Sequence, residues 1–167
     1  MLRRAREQAR RAAPPVNQAA AVVSQPTELT LYFPGEDGRL YPERRSLEAA
    51  PGGTARARVA LAALLAGPHS EGLRAPFPAG VELGSVVVIG DGTVIVDLRS
   101  AERELPPAAG SLGEQSMVYS LVDTVLLNVE STKRVALLWN GVQRESFSGH
   151  LDMTRPLAAD TALIAAQ

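Results

Sequence analysis

Residues 86–98 run Val-Val-Val-Ile-Gly-Asp-Gly-Thr-Val-Ile-Val-Asp-Leu. β-Branched side chains are stiff at χ1 and crowd a helix, but they fit a pleated strand. The Gly-Asp-Gly between the two runs supplies a reversal. The stretch therefore predicts a hairpin, with strands over residues 83–89 and 93–98. Its near-continuous Val and Ile content predicts strands covered on both faces. The second run stops at an acid, Asp97, followed by Arg99. That acid is placed for catalysis, for ligand binding or for ending a strand.

The segments around the hairpin set the architecture. Leu29, Leu31 and Phe33 alternate with Thr30 and Tyr32, the period of a half-buried strand. Asp37-Gly38 is suited to the turn that follows. The return strand contains Pro42, which donates no ladder hydrogen bond, so this strand belongs at an edge. Glu43, Arg44 and Arg45 in the same strand read as charges that discourage edge pairing. A helix follows, with Thr54 as its N-cap. Ala57, Leu61, Leu64 and Leu65 form its apolar stripe, and Gly67-Pro68 forms its stop.

A second helix opens at Ser111, where Ser111 and Glu114 have the spacing of a capping box. Val118, Leu121, Val122, Val125 and Val129 follow at helical spacing. Val135, Leu137 and Trp139 then share one strand face before Asn140-Gly141, a favoured two-residue hairpin turn. The order is β-β-α-β-β-α-β-β. It predicts an α+β fold with two helices on one face of a mixed β-sheet. Residues 1–28 read as a basic Ala/Arg/Pro-rich leader or linker, in which residues 3–12 suit a helix that Pro14 would end. Residues 29–160 form the domain, and residues 161–167 form a tail that packs along the domain and then frays.

Composition removes several chemistries. The chain has no cysteine and only two histidines, His69 and His150, so thiolate and multi-histidine metal sites are excluded. Formal net charge is −1 over 167 residues, which argues against nucleic acid. Residues 1–28 carry five arginines against Glu7 and Glu28; the basic excess is a terminal feature. No phosphate-binding glycine loop and no G-x-S-x-G nucleophile elbow is present. Neither histidine has the neighbours of a catalytic base. No catalytic residue and no cofactor is assigned. Asp97 reads first as an acceptor for backbone N–H groups in the adjoining turn. "GHLD", residues 149–152, reads first as a turn with an Asx cap. Asp97, Arg99, His150 and Asp152 remain as candidate contacts for a ligand or partner.

Taken in order, "LTLYFPGEDGRLYPERRSL", "ARARVALAALLAGP", "GTVIVDLRS" and "RVALLWNGV…SGHLD" resemble the GerMN (sporulation and germination) domain family, from about Leu29 to Asp160. The resemblance implies a bacterial, non-enzymatic domain on the extracytoplasmic side of a membrane, exported or lipid-anchored. This sequence itself shows no signal, anchor or lipidated cysteine. Some members act in sporulation and resemble ring-building domains of secretion systems; others are envelope lipoproteins. The expected partners are envelope proteins or further copies of the chain in a membrane-bound assembly. The isolated domain is expected to be monomeric or weakly associating. The alternative is a small-ligand or cell-wall glycan-binding domain, and a carboxylate-based hydrolase using Asp97 and Asp152 ranks last.

Overall fold

A computed structural model describes residues 23–166 of the chain. The suggested helix at residues 3–12 lies outside them. The described part is an α+β fold with the expected alternation of strands and helices. Strand β1 (Gln25–Pro34) pairs antiparallel with β2 (Leu40–Ala49), so the first strand begins at Gln25 rather than Leu29. Helix α1 (Gly53–Leu65) leads to the hairpin β3 (Glu82–Val88) and β4 (Thr93–Arg99). Helix α2 (Ser111–Leu126) crosses over to β5 (Arg134–Trp139), which runs parallel to β4. A two-residue strand β6 (Val142–Gln143) closes the sheet.

The strands form two sheets, β1-β2 and β3-β4-β5-β6, rather than one. The larger sheet is the mixed one, and both helices cover its inner face, α1 over β3 and α2 over β5. Val94, Val96 and Leu98 of β4 and Val135, Leu137 and Trp139 of β5 face inward. They meet Leu61 and Leu64 of α1 and Val118, Leu121, Val122 and Val125 of α2 in one core. Leu29, Leu31 and Phe33 of β1 join that core, with β1 packed against both helices.

The outer edge of β1 explains the division. Its backbone groups bond to side chains of α2 and of the turn that follows it. The Tyr32 N–H donates to Thr124 Oγ1 at 3.0 Å, and Ser120 Oγ donates to the Tyr32 carbonyl. Asn128 accepts from the Thr30 N–H at 2.9 Å and donates to the Thr30 carbonyl at 2.6 Å. Ser116 Oγ donates to the Gly38 carbonyl at 2.8 Å. These four residues recur every fourth position, so they form one helical stripe. They take the place of a neighbouring strand and shield an edge that would otherwise pair with another chain. Asn128→Ala strands both backbone groups of Thr30. Urea unfolding is expected to show a loss of roughly 1–3 kcal/mol, the cost of unsatisfied buried polar groups.

Several local expectations change. Helix α1 starts from Gly52, at φ 108°, with no side-chain cap from Thr54. A side chain at Gly53 would be tight, because its Cβ would stand 3.0 Å from Val129 Cγ1. Helix α2 starts from Gly110, and Glu114 turns into the protein instead of back to the helix end. Glu43 and Arg45 are a buried ion pair, not solvated edge charges. The β3–β4 hairpin is covered on one face only, since Val87 is 46% exposed on the other. The tail is held through Ala165: Ile164 pairs with Leu40, and the Ala165 N–H donates to the Leu40 carbonyl at 2.8 Å. The start of β2 offers an unpaired carbonyl there, which the tail satisfies. The Pro42 strand does lie at an edge, and Asn140 and Gly141 adopt φ 51° and 78°, as a type I′ turn requires.

Candidate functional site

Asp97 sits at the end of β4 and is almost fully buried. Its Oδ1 accepts the Gly141 N–H at 2.7 Å, and its Oδ2 accepts from Arg99 Nε at 2.7 Å. The acid therefore ties the β5–β6 turn to the end of β4. Asn140, in the same turn, accepts the Ser100 N–H at 2.9 Å and donates to the Arg103 carbonyl at 2.9 Å. Trp139 Nε1 donates to that same carbonyl at 3.2 Å. The register of β3 shifts between Leu83 and Val86, and Gly84 passes directly beside the Asp97–Arg99 pair. A Cβ on Gly84 would lie 2.7 Å from Arg99 Nε and 3.0 Å from Asp97 Oδ2, so only glycine fits this close approach. Asp97→Asn removes one charged hydrogen bond of this knot. We expect a loss of about 1 kcal/mol in chemical unfolding. Unchanged stability with loss of a ligand would assign Asp97 to binding.

His150 lies elsewhere, against the start of α2. Its backbone N–H donates to Glu114 Oε2 at 2.7 Å, and its ring Nδ1 is 3.0 Å from the same oxygen. Glu114 Oε1 accepts the Ser148 N–H at 2.7 Å. Glu114 is 0% exposed. Burial pushes its carboxyl up, but the N–H groups of Ser148, Leu151 and His150 and the His150 ring together hold it below the usual glutamate value. The residue read as a helix cap is instead the anchor of the 148–151 loop. Asp152 Oδ1 accepts from the Thr154 N–H at 2.9 Å and from Thr154 Oγ1 at 2.6 Å, forming an exposed Asx turn.

The four sequence candidates thus occupy separate settings: Asp97 with Arg99, His150 with Glu114, and Asp152 with Thr154. None of the four lines the cavity of about 610 Å³ beside β6, whose walls include Leu105, Pro106, Val142, Arg144 and Phe147. Among the described residues no cluster of three or more His, Asp or Glu is placed to hold a metal, and no helix is long and apolar enough to cross a membrane.

Two buried acids carry more electrostatic consequence than the candidates, and the sequence marks neither as a site residue. Glu43 accepts the His69 N–H at 3.0 Å and the Ser70 N–H at 2.9 Å, and pairs with Arg45. Burial raises its carboxyl, but the Ser70 N–H, the Arg45 guanidinium and the His69 N–H outweigh it and bring the pKa to about 2. Asp123 is fully buried in α2. Its Oδ1 accepts the Asp160 N–H at 3.0 Å, while its Oδ2 has no partner. Burial is the main cause that raises its pKa to about 6, the Asp160 N–H opposes it, and the Asp160 carboxylate adds to the rise. Burial, and then the charge of Asp123, raise the Tyr32 hydroxyl; burial and the charges of Asp160 and Asp123 raise that of Tyr119.

A raised acid binds its proton more tightly in the folded state than in the unfolded chain. The stability from Asp123 is therefore fully present below its ordinary value of 3.8 and declines as pH rises to about 6. Asp123→Asn is expected to remove that decline and to be the more stable form above it, by roughly 1–3 kcal/mol. Melting temperature measured against pH for the two proteins checks this; parallel curves would refute it.

Three solved structures share this fold. A crystal structure described as a "Putative Lipoprotein" from Clostridium perfringens is 17% identical, with a TM-score of 0.58 over 87% of this chain and 95% of that one. The tandem GerMN domains of the sporulation protein GerM from Bacillus subtilis are 24% identical, with a TM-score of 0.63 over 79% of this chain and 46% of that one. The first GerMN domain of the same protein is 24% identical, with a TM-score of 0.59 over 80% of this chain and 96% of that one. No curated protein matches the chain in sequence. The model of the Germane family, "Sporulation and spore germination", matches residues 30–145, which is more than half of the sequence, and the chain belongs to that family.

Proposed function

We propose that this chain is a non-enzymatic interaction module of the bacterial envelope, working on the extracytoplasmic face of a membrane within a larger assembly. The observation that carries this reading is the use made of its polar side chains. Asp97, Glu114, Asn140 and Asp152 spend their hydrogen bonds on turns and loops of the fold, and they do not converge on one cleft. Family membership and the fold shared with a "Putative Lipoprotein" and a sporulation protein support the setting. The outward face of the larger sheet supports a partner: Val87 lies beside Ile95, and Ile95 beside Ala136, with all three partly open.

The partners are envelope proteins or further copies of the chain. Strand addition at β1 is disfavoured, because side chains of α2 and of the turn after it already occupy its outer backbone groups. Contacts between copies would use helix and sheet faces, and one domain gains no avidity by itself. Chemical crosslinking in the native envelope followed by affinity capture tests the reading. A specific, repeatedly crosslinked envelope partner, or the chain itself, is expected. Turnover of a cell-wall substrate by the purified chain would overturn it. In light scattering at micromolar concentration the isolated chain is expected to be monomeric or weakly associating, and a tight two-fold dimer through β1 would contradict this account of the edge.

A further inference from the structure

One end of the molecule gathers four separate segments: residues 23–27 at the entry to β1, residues 49–56 leading into α1, the β3–β4 tip at 89–93, and the loop at 127–134. Gln25 pairs with Ala49, and the other three segments contact one another. A Cβ on Gly53 would lie 3.0 Å from Val129 Cγ1 and 3.8 Å from Val88 Cγ2. The Lys133 N–H donates to the Gly92 carbonyl at 2.7 Å, and an Arg56 guanidinium nitrogen donates to the Asn128 carbonyl at 3.4 Å. Three large apolar side chains from three of these segments stand in solvent: Val23 at 69% exposure, Ile89 at 40% and Leu127 at 45%. Isolated exposed apolar groups are ordinary, but three from unrelated segments at the same end of the molecule call for an explanation.

Charge gives that surface a direction. The four segments hold Arg56, Lys133 and Arg134 against Asp91 and Glu130, a net of +1. Residues 23–167 carry 12 basic and 17 acidic residues, a net of −5. Of these, everything outside the four segments sums to −6. An anionic plane attracts one pole of such a molecule and repels the other. Cations attract any polyanion. The combination of cations with exposed Val, Ile and Leu side chains fits a lipid surface, where apolar groups enter the acyl boundary while the cations meet the headgroups.

We propose that this end, Val23, Ile89 and Leu127 with Arg56, Lys133 and Arg134, docks directly on a bilayer of anionic lipid and holds the acidic remainder of the domain away from it. The proposal deepens the envelope reading and rests on it only for the source of the bilayer, because vesicle binding is measured without reference to where the chain resides.

The test uses the full chain in flotation with vesicles of phosphatidylcholine alone and of phosphatidylcholine mixed with phosphatidylglycerol. Binding is expected only to the mixed vesicles, and it should weaken as salt rises. The double variant Ile89→Gln/Leu127→Gln is expected to bind about tenfold more weakly. Lys133→Gln/Arg134→Gln should also bind more weakly and lose part of the salt dependence. Leu105→Gln, exposed in the loop beside β6, should bind like the parent. All these side chains are exposed, and a melting curve for each variant confirms the fold. Equal binding to neutral vesicles, or a double variant that binds like the parent, would overturn the proposal. Complete competition by a soluble polyanion, with no dependence on Ile89 and Leu127, would do the same and would reassign the surface to a non-lipid polyanion. Envelope crosslinking that finds no partner would count against the interaction module and leave vesicle binding standing.

Discussion

Glu43→Ala is expected to lower the stability of this chain by about 3–5 kcal/mol, the range for breaking a buried ion pair from one side. Its partner Arg45 would stay buried, with its guanidinium 5.4 Å from the centre of the Phe33 ring and no carboxylate opposite. Arg45 also donates to the Gly67 carbonyl at 2.7 Å and to the Ala63 carbonyl at 3.3 Å, which closes the C-terminal end of α1. Glu43 binds the first N–H groups of the loop beyond that helix, at His69 and Ser70. The pair is therefore a clasp between β2, α1 and the loop, and its loss loosens all three. Urea unfolding measures the cost, and a loss under about 1 kcal/mol, the worth of an exposed pair, would refute the clasp. Replacing both residues with apolar ones, as in Glu43→Leu/Arg45→Met, is expected to recover much of the loss, because no lone charge remains. The pH dependence has a fixed sign. A lowered acid stabilises above its ordinary value of 4.5, and that contribution fades as pH falls toward about 2. This acid limb should be absent from the Glu43→Ala protein.

Glu114→Ala is expected to cost about 3–5 kcal/mol, from three loop N–H groups left without an acceptor at roughly 1–3 kcal/mol each and partial relief by water. The 148–151 loop would detach from the start of α2, and Ser148 would lose its frame for the bonds that Ser148 Oγ exchanges with the Ala109 backbone. Hydrogen exchange read at Ser148 and His150 should speed up well before global unfolding. Glu114→Gln separates charge from shape. It keeps one acceptor oxygen, so it should lose about half as much. An alanine variant as stable as the parent, with both amides still protected, would show that the loop is held by its apolar neighbours instead.

These two acids also mark where sequence reasoning stops. Glu114 lies three residues after Ser111, the spacing of a capping box, and nothing local distinguishes a side chain that turns back to the helix end from one that turns into the protein. The choice is made by residues 148–151, which arrive 34 or more positions later with bare N–H groups. Glu43 and Arg45, two apart on a strand, share a face, and on an edge strand that face is ordinarily solvent. Here it meets α1 and the loop behind it. The stripe Ser116, Ser120, Thr124 and Asn128 is a period of four in the sequence. Its meaning is tertiary, because polar groups on a helix mark solvent unless a strand edge lies opposite.

Short-range physics settled much of the rest. Alternation at Leu29, Leu31 and Phe33, stiff β-branched runs about Gly90–Gly92, the helical stripe from Val118 to Val125, and Asn140-Gly141 each specify their own element through contacts a few residues apart. The α+β class and the order of elements follow from those pieces. What only the tertiary structure decided is which pieces meet. Two sheets form instead of one because α2 side chains satisfy the edge of β1. Asp97 becomes a fastening because the turn at Gly141 passes within hydrogen-bonding distance of it. The physical reason is the same in each case: a polar group's role depends on the partner brought to it, and partners tens of residues away leave no periodic trace beside it in the chain.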